Sequence, residues 1–292
     1  MATTSFNSSE ILSPEEVGPL VIQPLRLRSV ALRVSTVIET LRPSLRFPIV
    51  DADAGAAWTQ EGEEINETDP GVGELPVTPS ALKALVKVSN ELIADSSDNA
   101  QAAAVVGDGL VRQFARTLDN AFFGNTTSLG PDGLESITHQ NVSIGTPFVN
   151  LDPFADAISL IERVGSVCTS FSASFSTCNQ LSKLKEFADT TTVVSNEPLL
   201  AVAGGDVSQP VARSIFGVPL FSAPEGTIED GVVWAVAADK VFSVLRSDIT
   251  VIANPFSAFT SDSTHIRGTM RIGFGYPHEA AVVKIDSIPL GS

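Results

Sequence analysis

Few residues in this chain have the type and spacing that chemistry needs. His139, His265 and His278 are its three histidines, and none stands in an HExxH or His-x-His pattern. A zinc hydrolase site therefore has no sequence support. No GxSxG elbow offers a serine nucleophile, and no GxxxxGK[ST] loop offers a phosphate cradle. The segment Gly71 to Pro76, GVGELP, lacks the third glycine and the following helix of a dinucleotide loop. Cys168 and Cys178 are a single pair with no histidine close in sequence, which fits no four-ligand zinc pattern. They read as two small buried thiols of a reducing compartment, with a disulfide left open.

One cluster remains. Between residues 51 and 74 lie Asp51, Asp53, Glu61, Glu63, Glu64, Glu67, Asp69 and Glu74, with no lysine or arginine among them. Carboxylates in such density can hold a divalent cation, but the spacing matches no EF-hand loop. A solvated acidic face is the better reading. The stretch is too charged for a core and too strand-like for a plain linker, and it is expected as a hairpin over residues 46–80. Pro70, Gly71 and Gly73 are expected at its turn. An isolated two-stranded hairpin is marginal in water, so this one needs a surface to lie on.

Composition narrows the function classes. The chain has 292 residues, of which 18% are charged, below the usual share of about 25%. A low-charge chain buries much of itself or covers its surface with partners. Net charge is −16, with 18 basic against 34 acidic residues, which argues against a direct nucleic-acid binder. Like-charged copies repel, so any assembly depends on salt screening. No apolar run approaches the ~18 residues of a membrane span. The first residues, MATTSFNSSE, carry neither the basic nor the apolar part of a secretory signal.

The elements that must position the hairpin follow from pattern. Residues 1–45 are broken by Pro14, Pro19, Pro24 and Pro43, carry Arg26, Arg28, Arg33 and Arg42, and read as an extended arm with partial strand alternation in VALRVSTVI. Apolar residues at Val106, Leu110, Phe114, Leu118, Ala121 and Phe122 predict one face of a helix over 98–123. Asp98 and Gln101 form a weak capping box, and Gly124 is expected at the C′ position. A second helix is expected from an Asp152 N-cap with Pro153 as its first residue. Phe171, Ala173 and Phe175 suggest a short strand, and Leu181, Leu184 and Phe187 a third helix. IFGVPLFSAP and VVWAVAA read as strands, and long strands follow Lys240.

In order and spacing these parts resemble the major capsid proteins of tailed phages, the Hong Kong 97-type fold. AWTQEGEEI looks like the outer part of that family's extended E-loop. LPVTPSALKALVKVSNELIADS is similar to the segment that leads from the loop into the spine. NAQAAAVVGDGLVRQFARTLDNAFFGN with GPDGL looks like the spine helix and its loop. IFGVPLFSAP resembles a strand of the axial domain, and HIRGTMRIGFGYPHEAAVVKI the closing strands.

The resemblance implies an α+β fold. Residues 1–45 would be the N-terminal arm and 46–80 the E-loop. Residues 81–149 and 241–292 would be the peripheral domain with spine helix 98–123, and 150–240 the axial domain. It also implies a non-enzymatic chain without cofactors, assembling through hexamers and pentamers into an icosahedral shell around double-stranded DNA in the host bacterial cytoplasm. A portal, a scaffolding protein and a cement protein are the further partners implied. An encapsulin-type shell, a soluble acidic enzyme and a non-assembling binding module remain as alternatives.

The acidic loop would then meet basic strips on neighbours. The candidate interface residues are Trp58, Glu61, Glu63, Glu64 and Glu67 on the loop, facing Arg26, Arg28 and Arg33 or Arg246, Arg267 and Arg271. Two departures stand out. Some members weld loop to neighbour by a Lys–Asn bond, yet no lysine precedes Lys83 here. Many members also begin with a long helical scaffolding segment, whereas this chain starts almost directly with the arm. Scaffolding is therefore expected to be separate or unnecessary.

Overall fold

The computed structural model describes residues 25, 28–52, 55, 56, 58–60, 62, 64, 71–91, 99–185, 198–200 and 213–288. Its first helix there, α1 (Val30–Val34), corrects the strand expected for VALRV. Four of its five residues are buried: Val30, Ala31, Leu32 and Val34. Five residues cannot sustain a helix in water, so the cause lies in tertiary contacts. The Ser29 side chain caps Leu32 N–H. The buried Asp119 carboxylate accepts hydrogen bonds from Ser29 Oγ (2.6 Å), Ala31 N–H (2.9 Å) and Val30 N–H (3.2 Å). Burial lifts the Asp119 pKa above the ordinary carboxylate value, while these three bonds act in the opposite sense.

Asp119 belongs to α2 (Asn99–Phe123), a helix of 25 residues, about 37 Å at ~1.5 Å per residue. Its expected face is buried at Leu110, Phe114, Leu118, Ala121 and Phe122. The capping box at Asp98 and the Val106 side chain lie outside the described residues. The helix stops at Phe123, immediately before Gly124, whose φ is not positive. Instead the returning loop closes the helix end: Glu135 N–H donates to the Gly124 carbonyl, and Leu134 is fully buried.

Strand β1 (Thr36–Glu39) pairs in parallel with β10 (Phe242–Ala258). With β11 (Ser263–Gly275) and β4 (Ser80–Ser89) they form a four-stranded sheet in the order β1-β10-β11-β4. A second sheet has six strands in the order β5-β12-β9-β6-β8-β7. These are β5 (Gln140–Ser143), β6 (Ser170–Ser174), β7 (Arg213–Ile215), β8 (Val218–Ala223), β9 (Val232–Val236) and β12 (Val282–Asp286). One of its faces presents Val232, Trp234, Val236 and Val282 to a core shared with α1, α2 and the four-stranded sheet. The other presents Phe171, Ala173, Val233, Ala235, Val283 and Ile285 to α3 (Asp152–Arg163) and α4 (Phe175–Ser182).

Several sequence expectations change here. β5 and β12 lie in the six-stranded sheet, so the sheet does not stop at residues 150 and 240. β12 buries Val282 on one face and Val283 and Ile285 on the other, which suits an internal position between β5 and β9. Leu151, not Asp152, is the N-cap of α3, and Asp152 accepts from Asn150 Nδ2 instead. Phe175 opens α4 rather than ending a strand, because Ser174 caps there through Thr177 N–H. Helix α4 ends at Ser182, so Leu184 falls beyond it, and Phe187 lies outside the described residues.

Cys168 and Cys178 are free and buried, and burial pushes both thiols up to about 11. A thiol needs its thiolate to react. A thiol-exchange reagent at neutral pH should therefore label neither cysteine of the folded subunit, and both in denaturant. Rapid labelling without denaturant would refute this burial.

Candidate assembly interface

The acidic hairpin is built from β2 (Leu45–Ala52) and β3 (Gly71–Val77), paired antiparallel with Leu45 opposite Val77. Gly71 and Gly73 are strand residues, opposite Ala52 and Ile49, and not turn residues as expected. Arg46 Nη1 meets Glu74 Oε2 at 3.0 Å, so one of the eight carboxylates is engaged within its own hairpin.

Among the described residues it is the hairpin base that touches the body. Phe47 stacks on Phe242 with ring centroids 4.9 Å apart, and Phe47, Val77 and Val244 form a small buried cluster. Glycines on β11 permit that approach: a Cβ on Gly275 would stand 2.8 Å from Val77 Cγ2, and one on Gly273 3.2 Å from Pro79 Cα. Further out, the described residues are exposed. Val72 is 66% exposed and Trp58 fully exposed. Glu64 is exposed as well, while Glu61, Glu63 and Glu67 lie outside the described residues.

The candidate cations separate into two groups. Arg28 Nη2 lies 3.4 Å from Asp108 Oδ1 on α2, and the Arg33 guanidinium sits 4.2 Å from the Phe221 ring centroid. Both are engaged within the subunit while remaining exposed, and Arg26 lies outside the described residues. Arg246 is half-buried at a register shift between Leu245 and Ser247. Arg267 and Arg271 are exposed on β11.

Sequence reasoning missed two lysines that belong beside them. On the face turned away from α2, Ala81, Arg271 and Ser247 form one row across β4, β11 and β10. The next rows are Lys83, Thr269 and Thr250, then Leu85, Arg267 and Ile252, then Lys87, His265 and Asn254. These rows hold four of the chain's 18 basic residues, and Asp248 lies in the β10 bulge between the Ser247 and Thr250 rows. Among the described residues no carboxylate lies within ion-pair distance of those four. The strand order that joins Lys83 and Lys87 to Arg267 and Arg271 crosses ~180 residues of chain, so local pattern carried no signal of it.

The other groups with chemical potential are occupied structurally. His139 packs edge-on to Trp234, and His265 Nδ1 shares a 2.7 Å hydrogen bond with Ser257 Oγ. Lys284 Nζ on β12 bonds Glu135 Oε1, in the turn that follows α2, at 2.7 Å. Among the described residues no three histidine, cysteine or acidic side chains gather as metal ligands. No described helix is long and apolar enough to cross a membrane.

A family model described as "Phage capsid family" matches residues 10–287. The chain belongs to that family. It is a major capsid protein, a structural component located in the virion capsid, and its fold is the α+β, Hong Kong 97-like fold of phage capsids. Among solved structures it is similar to "Capsid of empty GTA particle computed with C5 symmetry", with a TM-score of 0.69 and 18% identity over 89% of this chain and 90% of that one. Microbacterium phage Oxtober96 gives a TM-score of 0.65 and 18% identity over 99% and 96% of the two chains. Mycobacterium phage Adephagia gives 0.67 and 13% over 90% and 91%. None of the curated proteins compared with the sequence matches it.

Proposed function

We propose that this capsid subunit assembles with copies of itself, through hexamers and pentamers, into an icosahedral shell that encloses phage double-stranded DNA. Assembly takes place in the host bacterial cytoplasm. The chain acts without catalysis, and the further partners are a portal and, where needed, scaffolding and cement proteins. The observation that carries this reading is the hairpin. Among the described residues it leaves its own body after a small apolar base, exposes Trp58 and Glu64, and pairs only β2 with β3, a two-stranded arrangement that is marginal alone. A neighbouring copy supplies the missing surface, and weak contacts multiply around a closed shell.

Sedimentation of the purified protein tests the proposal. A megadalton particle supports it, and a species that stays monomeric at every salt concentration refutes it. The clasp is noncovalent, because a lysine nucleophile is absent up to Leu82. Mature shells boiled in detergent should run as one monomer band, and a covalent ladder would contradict this.

A further inference from the structure

Four arginines meet along one edge of the subunit, where α1 packs on α2 and both approach the end of β8. Arg112 and Arg116 stand four residues apart on α2, so they share a side of the helix, roughly 6 Å apart along its axis. Arg28 reaches the same helix at Asp108, one turn before Arg112. Arg33 of α1 lies over the Phe221 ring of β8, and Arg116 Nη2 donates to the Glu225 carbonyl just beyond that strand at 3.1 Å. All four arginines are exposed. We infer that this edge faces the inside of the shell and that its arginines take phosphate groups of the enclosed DNA duplex. This rests on the shell reading above and adds a contact which that reading does not contain.

The way the arginines are held favours a phosphate occupant. Elsewhere Arg46 is answered by Glu74 and Lys284 by Glu135. On this edge, among the described residues, Arg28 alone has a carboxylate within ion-pair distance, Asp108 at 3.4 Å. Arg33 rests on a ring and Arg116 on a carbonyl, and both of those partners are neutral. A ring takes the flat side of a guanidinium and leaves its N–H edge free, and a carbonyl takes one of its five donors. Such contacts fix the groups without cancelling their charge, which is the preorganisation an anion site needs.

The balance of charge agrees. The other carboxylates on the described parts of these elements are Asp119, buried under α1, and Glu225, which is exposed. Four cations therefore face two exposed carboxylates, in a chain with 18 basic and 34 acidic residues.

The lack of apolar surface separates DNA from a protein partner. No large hydrophobic side chain is exposed on the described parts of α1, α2 or β8. Protein interfaces bury an apolar centre, whereas protein–DNA interfaces are polar, wet and basic. Guanidinium groups also match phosphate oxygens with paired N–H donors. The step from Arg112 to Arg116 spans about two phosphates of one strand at ~3.4 Å each. A few such contacts per subunit are weak and salt-sensitive, and they accumulate by repetition over the shell wall.

An arginine-specific dicarbonyl reagent, read residue by residue by peptide mass spectrometry, tests the contact on whole particles. In DNA-filled shells Arg33, Arg112 and Arg116 should label about threefold more slowly, or slower still, than in the same shells opened and digested with nuclease. Arg163 is exposed on α3, which packs on the opposite face of the six-stranded sheet, and should label alike in both.

Equal labelling of Arg33, Arg112 and Arg116 before and after digestion overturns the inference. So does protection that persists in the emptied shells, which would assign the edge to a neighbouring subunit or an acidic protein. Slowing that Arg163 shares would reflect exclusion of the reagent by the cargo and overturns it equally. None of these outcomes touches the shell reading, which fails if no particle forms, or its cargo, which fails if native particles hold no DNA to digest.

Discussion

An Asp119→Ala subunit should unfold about 3–5 kcal/mol more readily than wild type, because each buried donor left without a partner costs about 1–3 kcal/mol. Three donors lose their acceptor at once: Ser29 Oγ, Val30 N–H and Ala31 N–H. The damage extends beyond the spine helix. Those donors begin α1, and α1 holds four buried side chains in the larger core. Asp119→Asn should cost less, since its amide oxygen still accepts while its NH₂ faces a donor. Denaturant midpoints of unassembled subunits measure both, in the order Ala below Asn below wild type. An Asp119→Ala midpoint equal to wild type would mean that the carboxylate does not hold the segment.

The second large effect is expected from a single methyl group. A Cβ on Gly133 would stand 2.2 Å from the Gly124 carbonyl oxygen and 2.3 Å from that of Ala121. Both are backbone atoms at the closed end of α2, so neither can swing aside. Gly133→Ala must lift the loop from the helix end, breaking the Glu135–Gly124 hydrogen bond and uncovering Leu134. The cost should be about 3 kcal/mol, the upper end for overpacked sites. Backbone conformation is not the cause, since Gly133 has an ordinary extended φ of −100°. Thermal unfolding of Gly133→Ala against Ser136→Ala separates this from a general effect of loop substitution. Equal melting temperatures would refute the close approach.

Elements set by short-range pattern were legible in the sequence. The apolar stripe from Leu110 to Phe122 marked the spine helix, and the strands after Lys240 announced themselves by alternation around Met270, Ile272 and Phe274. The hairpin was visible because its carboxylates exclude a core and its ends read as strands. What stayed hidden depends on distant partners. VALRV has strand-like residues, and it is a helix only because a carboxylate some 90 positions away receives its first N–H groups. Phe175 alternates with Phe171 and Ala173, yet Ser174 turns the chain into a helix one residue earlier. Lys83 and Lys87 look like ordinary strand-edge charges until β11 is placed beside them. The arginines of the arm looked unanchored until Asp108 and the Phe221 ring were seen against Arg28 and Arg33.

The position of β12 bears on when a subunit becomes fit to assemble. Val282–Asp286 is inserted between β5 and β9, whose residues lie about 140 and 50 positions earlier. Until that strand leaves the ribosome, β5 has no neighbour in the sheet and Trp234 lacks Lys284 beside it. Pairing over such separations is slow, and it follows the local helices in time. A nascent chain can therefore form its spine helix while the six-stranded sheet is still open. Late closure therefore sets a threshold: a chain that ends before Val282 lacks the strand that joins β5 to β9, and its six-stranded sheet cannot be completed.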